Sequence, residues 1–257
     1  MPAFYQRVPP VDSLKHLISH YWIASWDAEV SAPISTYYTV ANTLTEITFA
    51  FSNAGLNPQL LFTAVQGHTG RADQIPVSGF NHLLGVSLYS HALPNLVGCS
   101  PLELNGQFIS LKDLLWNEAD WLTEKIIAEP FISRQIQILN QFFIGRLNNT
   151  LVLDQRMDYA VGIIRSNQGQ DRIPELADTC CLSLKQFERR FKAYTGSNPK
   201  LFSRIVRFES VVKSGRIWNT YTEAAHELGY HDQAHFIREF KSFSGLSPKD
   251  FWKLSNV

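Results

Sequence analysis

"QAHFIREFKSFSGLSPKDFW", residues 233–252, decides how this chain is read, because the chain writes it twice. Forty-nine residues upstream stands "LKQFERRFKAYTGSNPKLFS", residues 184–203. Phe187, Arg189, Phe191, Lys192, Gly196, Pro199, Lys200 and Phe202 recur as Phe236, Arg238, Phe240, Lys241, Gly245, Pro248, Lys249 and Phe251. A repeat this dense predicts one supersecondary unit used twice.

The unit extends further upstream. Ile173, Leu176, Ala177 and Cys180 fall at i, i+3, i+4 and i+7, and Tyr221, Ala224, Ala225 and Leu228 repeat those intervals. Each set predicts a short helix with one apolar stripe. Gly229 offers the positive-φ position that a tight helix–helix corner wants, where the first copy has Cys181. Ser183 and Asp232 then cap a second helix, with Leu184, Phe187, Phe191 and Tyr194 on its inner face in one copy and Phe236, Phe240 and Phe243 in the other. Gly196 and Gly245 end it. Asn198-Pro199 and Ser247-Pro248 open a third helix with a cap and a proline at the first helical position.

A short helix, a corner and a second helix form a helix-turn-helix, whose second helix enters the DNA major groove. The outer faces suit that role. The first copy presents Lys185, Gln186, Glu188, Arg189 and Lys192, and the second Gln233, His235, Arg238 and Lys241. Arginine pairs with guanine and glutamine with adenine, each pair contributing about 1–3 kcal/mol of discrimination. Residues identical in both copies serve what the copies share, so Lys192 and Lys241 are read as phosphate contacts, which position without specifying. Residues that differ, Lys185 against Ala234 and Gln186 against His235, are read as carriers of sequence preference. The first helix-turn-helix is placed at 173–195, a linker helix at 199–214 and the second unit at 221–244. Groove faces on one side of a duplex recur every ~34 Å, and two units on one chain would let a monomer reach both.

Upstream, the texture differs. "TEITFAF" (45–51) alternates, and "QLLFTAVQ" and "LLGVSLY" are further apolar runs between Gly/Pro/Asn clusters, as in a small β-barrel or sandwich. Two amphipathic helices are predicted next, at about 110–128 and 131–148, with Ser110 as N-cap and Pro130 between them. Their wide apolar faces call for cover by the β-domain, by each other or by a second subunit. The expected fold is therefore two-domain: an α+β part over 1–150, with a boundary near "LNNT" (147–150), and an all-α part over 154–257.

Charge follows that division. The chain is neutral overall, but residues 1–154 carry seven Lys/Arg against twelve Asp/Glu, and residues 155–257 carry sixteen against eleven. A basic C-terminal part points to an anionic partner for that part alone. No signal peptide or membrane-length apolar run is read, and three cysteines without a CxxC pair fit a reducing, cytoplasmic compartment. No P-loop, GxSxG elbow or metal-ligand spacing is present in the sequence, so neither enzymatic activity, nor a cofactor, nor a metal is expected. His226, His231 and His235, and His68, His82 and His91, are read as ordinary histidines. The aromatics Trp22, Trp26, Phe49, Phe51, Phe62 and Phe80 are read as core before pocket lining. A DNA alkyl-transfer sensor would need a cysteine cluster in the N-terminal part, where only Cys99 lies.

Residues ~155–257 resemble the DNA-binding domain of the AraC/XylS family of bacterial transcription regulators. The family pattern A-x-x-x-G-[FY]…F-x-R-x-F-K-x-x-x-G-x-[ST]-P-x-x-[FY] stands here as Ala225, Gly229, Tyr230, Phe236, Arg238, Phe240, Lys241, Gly245, Ser247, Pro248 and Phe251. The resemblance implies two helix-turn-helix units bridged by a long helix. By position, it implies base-facing residues at Lys185, Gln186, Glu188 and Arg189, and at Gln233, Ala234, Ile237 and Arg238. Ala234 and Ile237 make the second helix less polar than the first, which leaves room for the alternative of a protein-interaction module that has lost DNA binding. The order of parts resembles regulators whose N-terminal domain senses a small-molecule effector or mediates homodimerisation, with double-stranded DNA and RNA polymerase as partners.

Overall fold

The computed structural model describes residues 4–25, 35–52, 59–77, 82–147, 153–215, 218 and 220–255. The expected boundary at 147–150 falls almost wholly outside them, as do Trp26 and Phe80.

The N-terminal part is an antiparallel β-structure of eight strands among the described residues: β1 (Phe4–Val8), β2 (Ile18–Ser25), β3 (Ser35–Thr39), β4 (Leu44–Phe51), β5 (Leu60–Gln66), β6 (Asp73–Val77), β7 (His82–Tyr89) and β8 (Phe108–Ser110). Six form a sheet in the order β1-β2-β7-β4-β5-β8, and β3 pairs with β6. The two sheets follow one another in near-continuous register. Glu46 lies opposite Gln66 and Thr39 opposite Asp73, with an Asn42–Thr69 bridge between them displaced by one residue. The β3–β6 pair thus prolongs the β4–β5 hairpin beyond a corner at 40–43 and 67–72.

Alternation along β4 sorts the sheet's two faces. Ile47, Phe49 and Phe51 join the main core with Tyr21, Ile23, Leu84 and Val86. Trp22, Ala24, Ala50 and Leu83 form a smaller cluster on the opposite face. The main core is closed by α1 (Leu93–Leu96), α2 (Leu111–Leu115), α3 (Asn117–Ala128) and α4 (Ile132–Gly145). The single helix read at 110–128 is therefore two. Trp116 adopts φ 49°. Its N–H closes α2 on the Lys112 carbonyl, and its own carbonyl accepts the Ala119 N–H to start α3. Leu115, Ala119, Leu122 and Ile126 all stay in the core across the break, so apolar spacing alone does not reveal it. Ser110 does cap α2, accepting from the Lys112 N–H.

The C-terminal part is all helix: α5 (Gln155–Ser166), α6 (Ile173–Thr179), α7 (Leu184–Thr195), α8 (Pro199–Ser214), α9 (Tyr221–Glu227), α10 (Gln233–Ser244) and α11 (Pro248–Ser255). It has two cores. Met157, Leu176, Ala177, Cys180, Phe187 and Phe191 fill the first, and Ala224, Ala225, Leu228, Phe236, Phe240 and Trp252 are in the second. Helix α8 belongs to both, giving Phe202 and Val206 to the first and Ile205, Phe208 and Val211 to the second. No helix among the described residues is long and apolar enough to cross a membrane.

Candidate nucleic-acid interface

The second helices of the two units, α7 and α10, start from built caps. In α7, Ser183 and Gln186 form a capping box: Gln186 N–H donates to the serine hydroxyl and the glutamine carbonyl oxygen accepts from Ser183 N–H. In α10, Asp232 accepts from His235 N–H at 2.6 Å. That bond, joined by one from the His231 ring, holds the Asp232 carboxyl below the usual carboxylate range. Gly196 and Gly245 end the helices in the left-handed conformation, at φ 80° and 75°.

Between cap and glycine, each helix turns its phenylalanines inward and its cations outward. Lys185, Gln186, Glu188, Arg189 and Lys192 are all exposed on α7. Gln186 is partly committed, since its carbonyl oxygen serves the cap, but its NH₂ group is left to donate. On α10, Gln233, Ala234, Arg238 and Lys241 are exposed. The Gln233 carbonyl oxygen accepts from Thr222 on α9 at 2.9 Å. His235 and Ile237 are half-buried. His235 sets its ring edge-on to Tyr230 at 5.4 Å, with Nε2 3.7 Å from the Glu239 carboxylate. Ile237 packs against the second core. Among the described residues, Lys185, Arg189, Lys192, Arg238 and Lys241 make no ion pair. On α7 the cation that does pair is Arg190, with Asp154, and on α10 it is the acidic Glu239 that pairs, with Arg204 of α8. Five unneutralised cations on two exposed helix faces are what a polyanion can neutralise. Among the described residues, no three His, Cys, Asp or Glu side chains come together as a metal site.

Sequence reasoning missed a second set of residues, those that seat the N-terminal domain on the C-terminal helices. Glu209, midway along α8, accepts the Thr43 N–H at 2.6 Å and the Thr43 hydroxyl at 2.9 Å. Arg165 of α5 donates to the same hydroxyl at 2.9 Å and lies over the Tyr89 ring at 5.3 Å. Burial raises the Glu209 carboxyl above its ordinary range, opposed by the Arg165 charge and the Thr43 bonds. A carboxylate among the apolar positions of α8 was the available signal.

A third polar group lies on the sheet face opposite the main core. Glu46 accepts from Trp22 Nε1 at 2.8 Å and from the Ser87 hydroxyl at 2.9 Å, and burial pushes its carboxyl up to about 7. The Trp22 indole lies where a Cβ on Gly85 would stand, 1.9 Å from its nearest ring atom, so only glycine fits there. His68, at the corner, is buried with neither ring nitrogen hydrogen-bonded, and burial lowers it to about 4.

Comparison with known proteins divides the chain the same way. A family model described as "Helix-turn-helix domain" matches residues 176–253, and one described as "Domain of unknown function (DUF6597)" matches residues 6–110. An uncharacterized HTH-type transcriptional regulator of Haemophilus influenzae is 31% identical over 104 residues, covering 39% of this chain. The match spans about a third, 34%, of that relative's length. Among solved structures, apo ToxT from Vibrio cholerae aligns over 91% of this chain and 97% of its own, with TM-score 0.49 at 11% identity. CdpR from Pseudomonas aeruginosa aligns over 68% of this chain and 46% of its own, with TM-score 0.35 at 17% identity. Residues 176–253, the two units and the helix that bridges them, thus match a helix-turn-helix domain.

Proposed function

We propose that this chain is a sequence-specific DNA-binding transcription regulator whose two reading helices, α7 and α10, enter successive major-groove faces of one duplex. The observation that carries the reading is the pair of capped helices. Each stands on its own core and bares unpaired cations, and both are tied to one 16-residue helix. A helix of that length is roughly 24 Å long, the scale of the ~34 Å groove repeat. Lys185, Gln186, Glu188 and Arg189 read bases from α7, with Lys192 on phosphate. On α10, Gln233, Ala234 and Arg238 face the groove, and Lys241 contacts phosphate. His235 and Ile237, half-held by their own domain, contribute at the edge of that surface.

Control comes from the N-terminal domain, through a small-molecule effector or through homodimerisation. The deep carboxyl of Glu46 behind Trp22 supports the first. The exposed Trp116, Trp121 and Ile144 on the helical side, 76%, 50% and 43% accessible, support the second. RNA polymerase is the further partner such a regulator engages.

A salt titration tests the DNA reading. For Z neutralised phosphates the logarithm of the binding constant falls with log salt at a slope of about −0.9Z. Five or more contacts predict a steep line. The competing reading, a protein-interaction module on the same scaffold, is favoured by the apolar Ala234 and Ile237 and predicts no duplex binding at low salt.

A further inference from the structure

Among the described residues, the N-terminal domain holds the C-terminal domain at the matched ends of α7 and α10 and along α8. At the end of α7, the Gly196 carbonyl accepts the Asn105 side-chain amide at 3.0 Å. A Cβ on Gly196 would stand 2.7 Å from the Pro101 carbonyl oxygen. Two residues earlier, Tyr194 stacks on His91 with ring centroids 4.9 Å apart and planes 11° from parallel. At the end of α10, the equivalent Phe243 offers its carbonyl to the Ala41 N–H at 2.8 Å. A Cβ on Gly245 would stand 3.2 Å from the Ala72 Cβ. Between the two corners, Glu209 of the bridging helix binds Thr43. The segments that reach these points, 99–106, 40–43 and 69–72, all adjoin strands of the N-terminal domain.

On the far side, the two units are joined to each other directly. Arg207 of α8 forks between them, donating to the Gly169 carbonyl at 2.9 Å and to the Gly229 carbonyl at 3.3 Å. Gln170 donates to the Glu227 carbonyl at 3.3 Å. Helix α8 is thus fixed at one edge by its own domain and at the other by the N-terminal domain, which touches the last turn of both reading helices.

We infer that the N-terminal domain is a spacing gauge: by gripping the matched ends of α7 and α10 and the middle of α8, it sets the separation and relative rotation of the reading helices, and Asn105, Thr43 and Glu209 thereby determine which half-site spacing is bound. The inference rests on the DNA-binding function proposed above. It gives the duplication a second use, since one repeated corner serves twice as a docking point. One base pair moves a half-site by about 3.4 Å along the axis and turns it by roughly 35°, so a rigid pair of readers tolerates little change.

The test uses the full chain and the full-length double variant Asn105→Ala/Thr43→Val. Asn105 is exposed, and Thr43→Val removes the hydroxyl shared by Glu209 and Arg165 while keeping the backbone N–H bond to Glu209; helix content and melting, checked by circular dichroism, must match those of the unaltered chain before binding is compared. Duplexes are selected from a random library by each protein. Binding is then measured on the selected site with one base pair removed, one added and two added between the half-sites. The expected result is a loss of roughly tenfold or more per base pair for the full chain. The double variant keeps the same half-site sequences but loses only two- to threefold. Equal penalties in the two proteins overturn the inference. So does a gain in affinity by the variant at unchanged penalty, which would make the docking a restraint against DNA rather than a gauge. So does selection of a single half-site by the full chain. Selection of no duplex at all by the full chain overturns instead the DNA-binding function on which the inference rests.

Discussion

The two helix-turn-helix units descend from one sentence of sequence, yet they solve the same structural problem with different materials. The first core mixes aliphatic, small and sulfur-containing residues around the Phe187–Phe191–Phe202 group, whose successive rings are 5.6 and 5.3 Å apart. The second is an aromatic network in which Phe240 alone approaches Phe208, Phe236, Phe251 and Trp252 at 5.2 to 6.5 Å. The bridge from reading helix to preceding helix is conserved in place but inverted in sign. Arg190 of α7 reaches Asp154 before α5, and at the equivalent position Glu239 of α10 reaches Arg204 of α8. What is kept between the copies is the geometry, and what varies is how each position is filled. Functional residues should obey the same rule, with scaffold shared and discrimination divergent.

The largest effect should come from the core. Phe191→Ala and Phe240→Ala each remove a fully buried ring, and large-to-small aromatic changes cost about 3–5 kcal/mol. Phe240→Ala should lie at the upper end, because each lost aromatic pairing adds roughly 0.5–1.5 kcal/mol beyond area burial. Urea unfolding of the two variants measures the difference. Equal losses would mean that the denser ring network of the second unit adds no stability.

Next come the inverted bridges. Arg204→Ala leaves the Glu239 carboxylate, 3% accessible, with only the more distant His235 ring, whereas Arg190→Ala leaves Asp154 at 26% access to water. Breaking a buried pair costs about 3–5 kcal/mol and an exposed one about 0–1. Arg204→Ala should therefore destabilise by roughly 2–4 kcal/mol and Arg190→Ala by about 1, the partial exposure of Arg204 pulling its value down. Thermal melting of both variants decides it, and a reversed order would break the comparison.

On DNA, Arg189→Ala and Arg238→Ala should each weaken binding by about 1–3 kcal/mol with helix content unchanged. Lys192→Ala and Lys241→Ala should instead lower the salt slope by about 1 with little change in sequence preference. If the second unit reads less sequence than the first, Arg189→Ala will relax the selected half-site more than Arg238→Ala. Loss of folding in both arginine variants would move these residues from interface to scaffold.

How much of this was legible in the sequence follows from how local each feature is. The ends of α7, α8 and α10 are written in neighbouring caps and glycines, and β4 in its own alternation. The break at Trp116 is silent because the stripe Leu115, Ala119, Leu122 and Ile126 runs through it. The Thr43–Glu209 and Thr43–Arg165 bonds join residues 166 and 122 positions apart, and no periodicity within one element reports such a meeting. The continuity of the β3–β6 and β4–β5 ladders is likewise a matter of register, visible only once both strands are paired. Cys181 was legible as the stand-in for a corner glycine, but not the cost of that choice.

That cost yields the smallest prediction and the finest comparison. Cys181 holds φ 54° where Gly229 holds 69°. A residue with a Cβ pays about 1–2 kcal/mol in this region. Glycine, in turn, loses more chain entropy on folding, by roughly 0.5–1 kcal/mol. Cys181→Gly should therefore stabilise the chain by about 0.5–1 kcal/mol, the difference between those terms. Gly229→Ala should destabilise it by at least that amount, because its new Cβ also meets the Gln170 side chain at 2.9 Å, which can give way only by straining its bond to the Glu227 carbonyl. Opposite signs in the two melts would show that the first unit carries strain the second has shed. Equal signs would mean that the corner of the first unit has been reshaped around its cysteine, whose turn is one residue shorter (181–183 against 229–232) and whose following residue, Leu182, closes on the Ala177 carbonyl at 3.1 Å much as Tyr230 closes on Ala225 at 2.8 Å.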